Sequence, residues 1–538
     1  MRRAVGTGLA VVLLAGGAAA CGSDDPAPTA PTASTIFSTP PSVYEEQRAE
    51  GVSALLDALP DALTSADKGA LDALIDPLAT ADFRRTWQLA RANLGPTPPA
   101  ARRSDSVVPS SPEAGAPSAA TGAQNPPSRP SSAPAGSPSR GRNLVLKDLS
   151  YRLAMNSGPD RLIGGALGVQ LTEAGSSDSW VSEVTLSYAL GGAARPGVDE
   201  AVIEVPMMLA FSRYDDEWKL LGDGSVAPDP AVTPGETTAP GEPVPWTFSG
   251  LRARDVRTAG GASAVLSYPG TERTVGAVGT ELASAVSAVS RFWGQDWSQQ
   301  AVVVATATDE QFAALTRTRH GSTSAAAAAS VFSRIDSGSK TVVGQRIVLA
   351  PAARQLSQAG IAVILRHELF HVAARLATAE EAPMWLTEGV AEYVGRRGTT
   401  AVPGSGARST ERSSAAPGAS RSPGRPVEEQ PAETGDELTD VAPELAVQVA
   451  AGRLPTDLPA DNDFAVDTAQ ARLAYQTAWS FAAFVADTYG PDRLKQMYLA
   501  VAQGGDEPAT AKALQQTLGA SKKQLITEWQ RWLRQEVR

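Results

Sequence analysis

Strand-like and helix-like blocks, set apart by Pro-, Ser- and Ala-rich stretches, predict a multidomain α+β protein. Three observations carry that expectation. Short apolar runs bounded by turn residues cluster between residues 144 and 221, and again between 248 and 305. Apolar residues at three- and four-residue spacing precede the first cluster and recur from about residue 361 to the C terminus. Low-complexity segments at 24–42, 96–142, 226–244 and 398–436 separate the blocks and are expected to be disordered. A length of 538 residues is compatible with about two to four domains. The expected organisation is an α+β unit over 43–225, then a unit over 245–538 with a small sheet and a mainly helical lobe.

The formal charge of −11 and a pI near 5.1 argue against nucleic acid or an anionic membrane surface as partner. The single cysteine, Cys21, excludes an intramolecular disulfide and a cysteine-based zinc site. Residues 1–20 read as an export signal: Arg2 and Arg3 form the charged start, an apolar core follows, and Ala18-Ala19-Ala20 forms a small-residue cleavage region. The apolar run is shorter than the roughly 20 residues of a spanning helix. Cys21-Gly22-Ser23 resembles a bacterial lipobox, which implies cleavage before Cys21 and lipidation of its thiol. That would place the chain on the outer face of the cell membrane, held there only by the lipid anchor. Ala18 stands where such signals usually carry leucine, so a plainly secreted protein is the alternative.

From residue 43 the pattern is helical, with Val52, Leu55, Leu56 and Leu59, then Leu71, Leu74 and Ile75 after a break near Asp67, then Phe83, Trp87 and Leu94. Strands are expected over 144–154, 163–172, 180–189 and 201–214, and over 218–221 after a turn at Asp215-Asp216. Helices followed by a curved antiparallel sheet resemble the cone-shaped nuclear-transport-factor-like fold. Such a cone implies either a ligand chamber or a spacer and docking module. No catalytic constellation is visible here, which favours the second.

In the second unit, 248–268 suggests a hairpin, 277–293 a helix, 301–305 a buried strand, and 309–315 a short helix capped by Asp309. Residues 346–350 form a strand just before the most informative stretch, His367-Glu368-Leu369-Phe370-His371. Two histidines at i and i+4 lie one above the other on a helix and can reach one metal. The glutamate between them is placed to handle a water on that metal. The chain holds only three histidines, and this motif uses two of them. The third, His320, stands alone in a polar loop.

A catalytic zinc usually takes three protein ligands and keeps one position for water. Pro383 suits the first turn of a second helix, on which Glu388 could face the histidines. Glu392, one turn on, is a candidate to hold a histidine N–H, or else a solvated glutamate. Gly389 would let the second helix approach the first, or is simply a tolerated helix glycine. The run Trp385-Leu386-Thr387-Glu388-Gly389-Val390-Ala391-Glu392-Tyr393 resembles the second motif of the gluzincins, the thermolysin-like and peptidase-MA-like zinc metallopeptidases. That resemblance covers roughly 245–538 and makes Glu388 the third zinc ligand, with His367 and His371. It also implies Glu368 as general base, a peptide or protein substrate, and the 346–350 strand as the one that pairs with substrate.

Beyond the 398–436 insertion, 468–489 is a strong helix stopped by Gly490-Pro491. Tyr475-Gln476-Thr477-Ala478 resembles the helix start that carries the transition-state tyrosine of aminopeptidase-type gluzincins. Tyr475 is then either an oxyanion donor or a core residue, and His320 is an alternative donor. Helices over 492–502, 509–518 and 525–536 complete an all-α lobe, with Trp529 and Trp532 in its core. No Gly-x-Met-Glu-Asn strand precedes His367, which favours an endopeptidase over an aminopeptidase. Two alternatives of other classes are a cell-envelope binding or scaffolding lipoprotein with an inactive peptidase fold, and a non-peptidase zinc hydrolase.

Overall fold

The computed structural model describes residues 43–96, 141–154, 161–190, 200–227, 244–316, 327–398, 437–464 and 469–537. The export signal, Cys21, the tether, His320 and nearly all of the low-complexity segments lie outside them.

The chain is α+β. Helices α1 (Val43–Thr64), α2 (Gly69–Leu74) and α3 (Ala81–Leu94) precede β1 (Leu146–Leu153), β2 (Arg161–Leu162), α4 (Gly165–Glu173), β3 (Asp178–Leu190), β4 (Ile203–Tyr214) and β5 (Glu217–Asp223). The strands form an antiparallel sheet in the order β1-β3-β4-β5, with β2 also paired to β3. Strand periodicity sorts the side chains by face. Trp180, Val184, Leu186, Tyr188 and Leu190 join Val52, Leu56 and Leu59 of α1 in one core. Val181, Ala210 and Leu221 face the other way, against α4. The expected strand over 163–172 is therefore a helix. Leu167 and Leu171, one turn apart, form the apolar face that α4 lays on the back of the sheet, and Ile163 just before the helix joins the same cluster.

The second sheet contains β6 (Arg252–Thr258), β7 (Gly261–Ser267), β8 (Val302–Ala305), β9 (Ala328–Val331) and β12 (Arg346–Leu349). Its neighbouring segments are α5 (Glu272–Trp293), α6 (Asp309–Thr316) and the small hairpin β10 (Arg334–Asp336) with β11 (Thr341–Val343). The strand order is β6-β7-β8-β12-β9, with β12 parallel to β8 and antiparallel to β9. This corrects the expectation for 346–350. β12 is an interior strand, and β9 is the edge. Asp309 is not the cap of α6 either: Thr308 Oγ1 accepts the Gln311 N–H at 3.2 Å, and Asp309 occupies the first turn.

Strands with both faces covered read as continuous apolar runs, and the two covers of β8 and β12 are different. Val303, Ile347 and Leu349 meet α5 and α7 (Gln358–Ala374). Val302, Val304 and Val348 meet the core of the amino-terminal sheet and helices. The amino-terminal unit is thus one wall of the second sheet. Polar contacts fix the join: Asn93 donates to the Trp246 and Phe248 carbonyls at 2.9 and 2.8 Å and accepts the Leu251 N–H at 3.0 Å. Arg346 of β12 pairs through both terminal nitrogens with the Glu200 carboxylate, the pair being about nine-tenths buried.

The helical lobe comprises α8 (Met384–Arg396), α9 (Glu437–Val441), α10 (Pro443–Ala450), α11 (Ala469–Tyr489), α12 (Pro491–Val501), α13 (Glu507–Leu518) and α14 (Lys522–Glu536). Trp529 is fully buried, stacked edge-on against Phe481, while Trp532 packs at the margin and donates to Asp487 at 3.1 Å.

Replacing Glu200 with alanine would strand the Arg346 guanidinium inside the join. Removing one partner of such a pair should cost about 3–5 kcal/mol, read as a lower urea midpoint with an unchanged slope.

Candidate metal centre

Ser357 caps the helix that carries the histidines, its hydroxyl accepting the Gly360 N–H at 3.1 Å. Ile361, Leu365 and Leu369 bury one side of α7 in the helical core, which leaves His367, Glu368 and His371 to turn toward α8. The two Nε2 atoms lie 3.2 Å apart.

The second helix starts after Pro383, which is the cap residue itself rather than the first helical one. A remote group completes that terminus: Asp461 accepts the Met384 N–H at 2.8 Å. α8 then presents Glu388, only 2% exposed, to both rings. One carboxylate oxygen is 3.3 Å from His367 Nε2 and the other 3.6 Å from His371 Nε2. Two glycines permit this approach, and they face different neighbours. A Cβ on Gly395 would lie 3.0 Å from the Val363 carbonyl of α7, whereas a Cβ on Gly389 would lie 2.6 Å from the Ala478 carbonyl of α11. Gly389 therefore seats α8 against α11, not against α7 as anticipated.

These separations fit a cation better than a set of hydrogen bonds. Ligands about 2.0–2.2 Å from a tetrahedral zinc are roughly 3.3–3.6 Å from one another, which is the spacing of these donors. Glu388 Oε2 is buried without a hydrogen-bond partner, a state that an interior carboxylate rarely keeps. His367, His371 and Glu388 are also the group whose ligand atoms fall within 4.8 Å of one another among the described residues. Two imidazoles and a carboxylate suit zinc.

Glu392 accepts from His367 Nδ1 at 3.1 Å, which turns the Nε2 lone pair toward the other donors. The same carboxylate takes a charge-assisted bond from Arg396 at 2.5 Å. Burial would raise the Glu392 pKa, but Arg396 and His367 hold it down to about 2. For His367, burial opposes the charge, yet the nearby Glu388 carboxylate and the bond to Glu392 raise its pKa well above the usual imidazole value in the metal-free protein. Glu388 is pulled the other way: burial would lift it, and the two imidazoles hold it far below the carboxylate range. Glu368, 4% exposed, is lifted by burial against the pull of His367 and His371, and one of its oxygens has no partner.

Tyr475 reaches the same region from α11, packed edge-on against Phe464. Burial, with the charges of Glu388, Glu392 and Glu368, pushes its hydroxyl well above the usual phenol value, so it stays a donor. That hydroxyl makes no hydrogen bond among the described residues. Arg396 and Arg375 were not singled out from the sequence. Both are one helical turn beyond a site residue, Glu392 and His371 respectively, and that spacing is the signal that could have found them.

The chain matches no family model and no curated protein. Among solved structures it is similar to a glutamate-to-alanine variant of an M1 zinc metallopeptidase from Deinococcus radiodurans, at 14% identity over 52% of each chain and a TM-score of 0.29. It is also similar to a two-domain M1 zinc metallopeptidase variant bound to L-tryptophan, at 13% identity over 52% of each chain and a TM-score of 0.28. A third similar structure, again from Deinococcus radiodurans, is bound to a Tyr-Ser-Ala substrate; it has 12% identity over 65% of this chain and 89% of that one, with a TM-score of 0.29. All three are zinc metallopeptidases. The match spans about half the length of the first two.

A ligand atom must shed its proton to bind a metal. Because the carboxylates around His367 raise its pKa in the metal-free protein, protons compete with the metal there, and apparent zinc affinity should climb as pH rises toward that raised value. Competition with a chromogenic chelator across that range checks this, and a flat profile contradicts it.

Proposed function

We propose that the chain is a zinc-dependent peptidase acting outside the cytoplasm, with His367, His371 and Glu388 as metal ligands and Glu368 as general base. The observation that carries this reading is the convergence of those three donors at metal-ligand spacing, beside a buried glutamate with an unpartnered oxygen. Zinc, when bound there, supplies Lewis acidity that polarises the scissile carbonyl and lowers the pKa of water toward about 7.

The remaining steps belong to side chains of this chain. Glu368, with its pKa lifted by burial, takes a proton from the attacking water and passes it to the departing amine. Glu392 holds the His367 ring by its Nδ1–H, and Arg396 holds Glu392. Tyr475 keeps its proton and donates a hydrogen bond to the oxyanion. The edge strand β9 packs beside α7, and among the described residues its outer edge pairs with no strand. An extended substrate can add to it by strand pairing, a mode that takes internal stretches of chain and favours an endopeptidase. The export-signal pattern of residues 1–20 and the lipobox-like Cys21-Gly22-Ser23 support a lipoprotein at the outer face of the membrane, or a secreted protein, acting on a peptide or protein of the cell envelope. We assign the amino-terminal unit a supporting or docking role, because large side chains such as Trp180, Phe211 and Trp218 fill the interior of its sheet.

Glu368→Gln should retain stoichiometric zinc while peptide hydrolysis falls by about 10²–10⁴-fold. A diverse peptide library, read with and without chelator, checks it. Undiminished turnover in the variant removes Glu368 from the mechanism, and zinc binding without any hydrolysis by the wild type favours a scaffold.

A further inference from the structure

Among the described residues the two buried arginines, Arg48 and Arg346, meet carboxylates, and so does Arg396 at the metal site. Arg48 pairs with Asp178 at 2.9 Å, Arg346 with Glu200, and Arg396 with Glu392. Arg375 is different. It follows the last turn of α7, four residues beyond His371 and on the same side as Glu368. Its Nη2 donates to Ser330 Oγ of the edge strand β9 at 3.1 Å, and its guanidinium lies over the Phe332 ring at 4.7 Å from the centroid. Its Nε is buried without a partner, and it forms no ion pair among the described residues. Burial lowers its pKa, against the opposing pull of the Glu368 and Glu388 carboxylates. The guanidinium is thus close enough to feel the Glu368 and Glu388 carboxylates, yet bonds to neither.

A half-buried guanidinium with one unpartnered nitrogen and no ion pair can take up a counter-ion, and its planar fork matches a carboxylate. Here that fork is anchored between the strand edge and the helix that carries Glu368. A peptide lying along β9 would run past it. We propose that Arg375 receives a carboxylate of the bound peptide, so that the site selects substrates with an anionic group close to the scissile bond. The proposal rests on the peptidase reading for its substrate class, and the carboxylate comes from an acidic side chain or from a free C terminus.

The test uses the metal-free full chain and calorimetry, with peptides that carry one glutamate, or glutamine in its place, moved along the sequence. Each peptide is prepared as a C-terminal acid and as an amide. One charged member should bind roughly tenfold or more tightly than its neutral twin, the effect of a charge-assisted hydrogen bond. The Glu/Gln arm reports a side-chain carboxylate, and the acid/amide arm a terminal one. Arg375→Gln should erase the difference and leave the neutral twin's affinity unchanged. Arg375→Lys, which keeps the charge but loses the fork, should keep a reduced preference, and it carries the test if the glutamine variant does not fold. Equal affinity for both twins in the wild type overturns the proposal, as does an equal loss for both in the variants. Hydrolysis of the same peptides by the zinc-loaded enzyme separates the two readings. Cleavage without charge preference leaves the peptidase and removes the carboxylate site. Charge-selective binding with no cleavage removes the peptidase and leaves the carboxylate site.

Discussion

The distance at which α8 can lie from its two neighbours governs everything at the centre of this protein. Glu388 is useful only if its carboxylate reaches both imidazoles, and a helix with ordinary side chains at the contacts could not come so close. Gly395 gives α7 that room, and Gly389 gives it to α11. Seated between them, α8 carries Glu388 to within 3.3 and 3.6 Å of the histidine Nε2 atoms and Glu392 to 3.1 Å from His367 Nδ1. Three acidic groups and two imidazoles then share an interior from which water is largely removed. Such a cluster is costly unless its charges offset one another, and here the imidazoles and carboxylates pull each other's pKa values in opposite directions.

That arrangement also depends on the second sheet, whose two faces belong to different parts of the chain. β8 and β12 rest on α5 and α7 on one side and on the amino-terminal core on the other. The amino-terminal helices and sheet are in this sense structural partners of the metal helix, two layers removed. The buried Asn93 contacts and the Arg346–Glu200 pair fix the join, because polar groups out of water tolerate little displacement once paired.

Much of the site was legible in the sequence because helical spacing translates directly into shared faces. His367 and His371 are one turn apart, as are Glu388 and Glu392, and the structure brings all four together. What pattern reading missed depends on contacts distant in sequence. Asp461 caps α8 from far along the chain, and nothing near Met384 announces it. Gly389 packs on α11, which lies beyond a long insertion. The edge strand β9 is built from Ala328-Ala329-Ser330-Val331, too small and too short for strand periodicity to register, whereas the larger apolar run of β12 reads as a strand but not as an interior one, since that depends on its neighbours in the sheet. For residues 163–172 the error was one of period: the fourfold spacing of Ile163, Leu167 and Leu171 lay within a run rich enough in apolar residues to read as extended.

The central claim is that two imidazoles and one carboxylate hold a single cation with a corner left open. Zinc K-edge X-ray absorption on the zinc-loaded protein tests it most directly. The account predicts a shell of about four nitrogen and oxygen neighbours near 2.0–2.1 Å, with outer-shell scattering from two imidazole rings. A shell without imidazole scattering, or with its open position filled by a third protein nitrogen, would contradict it.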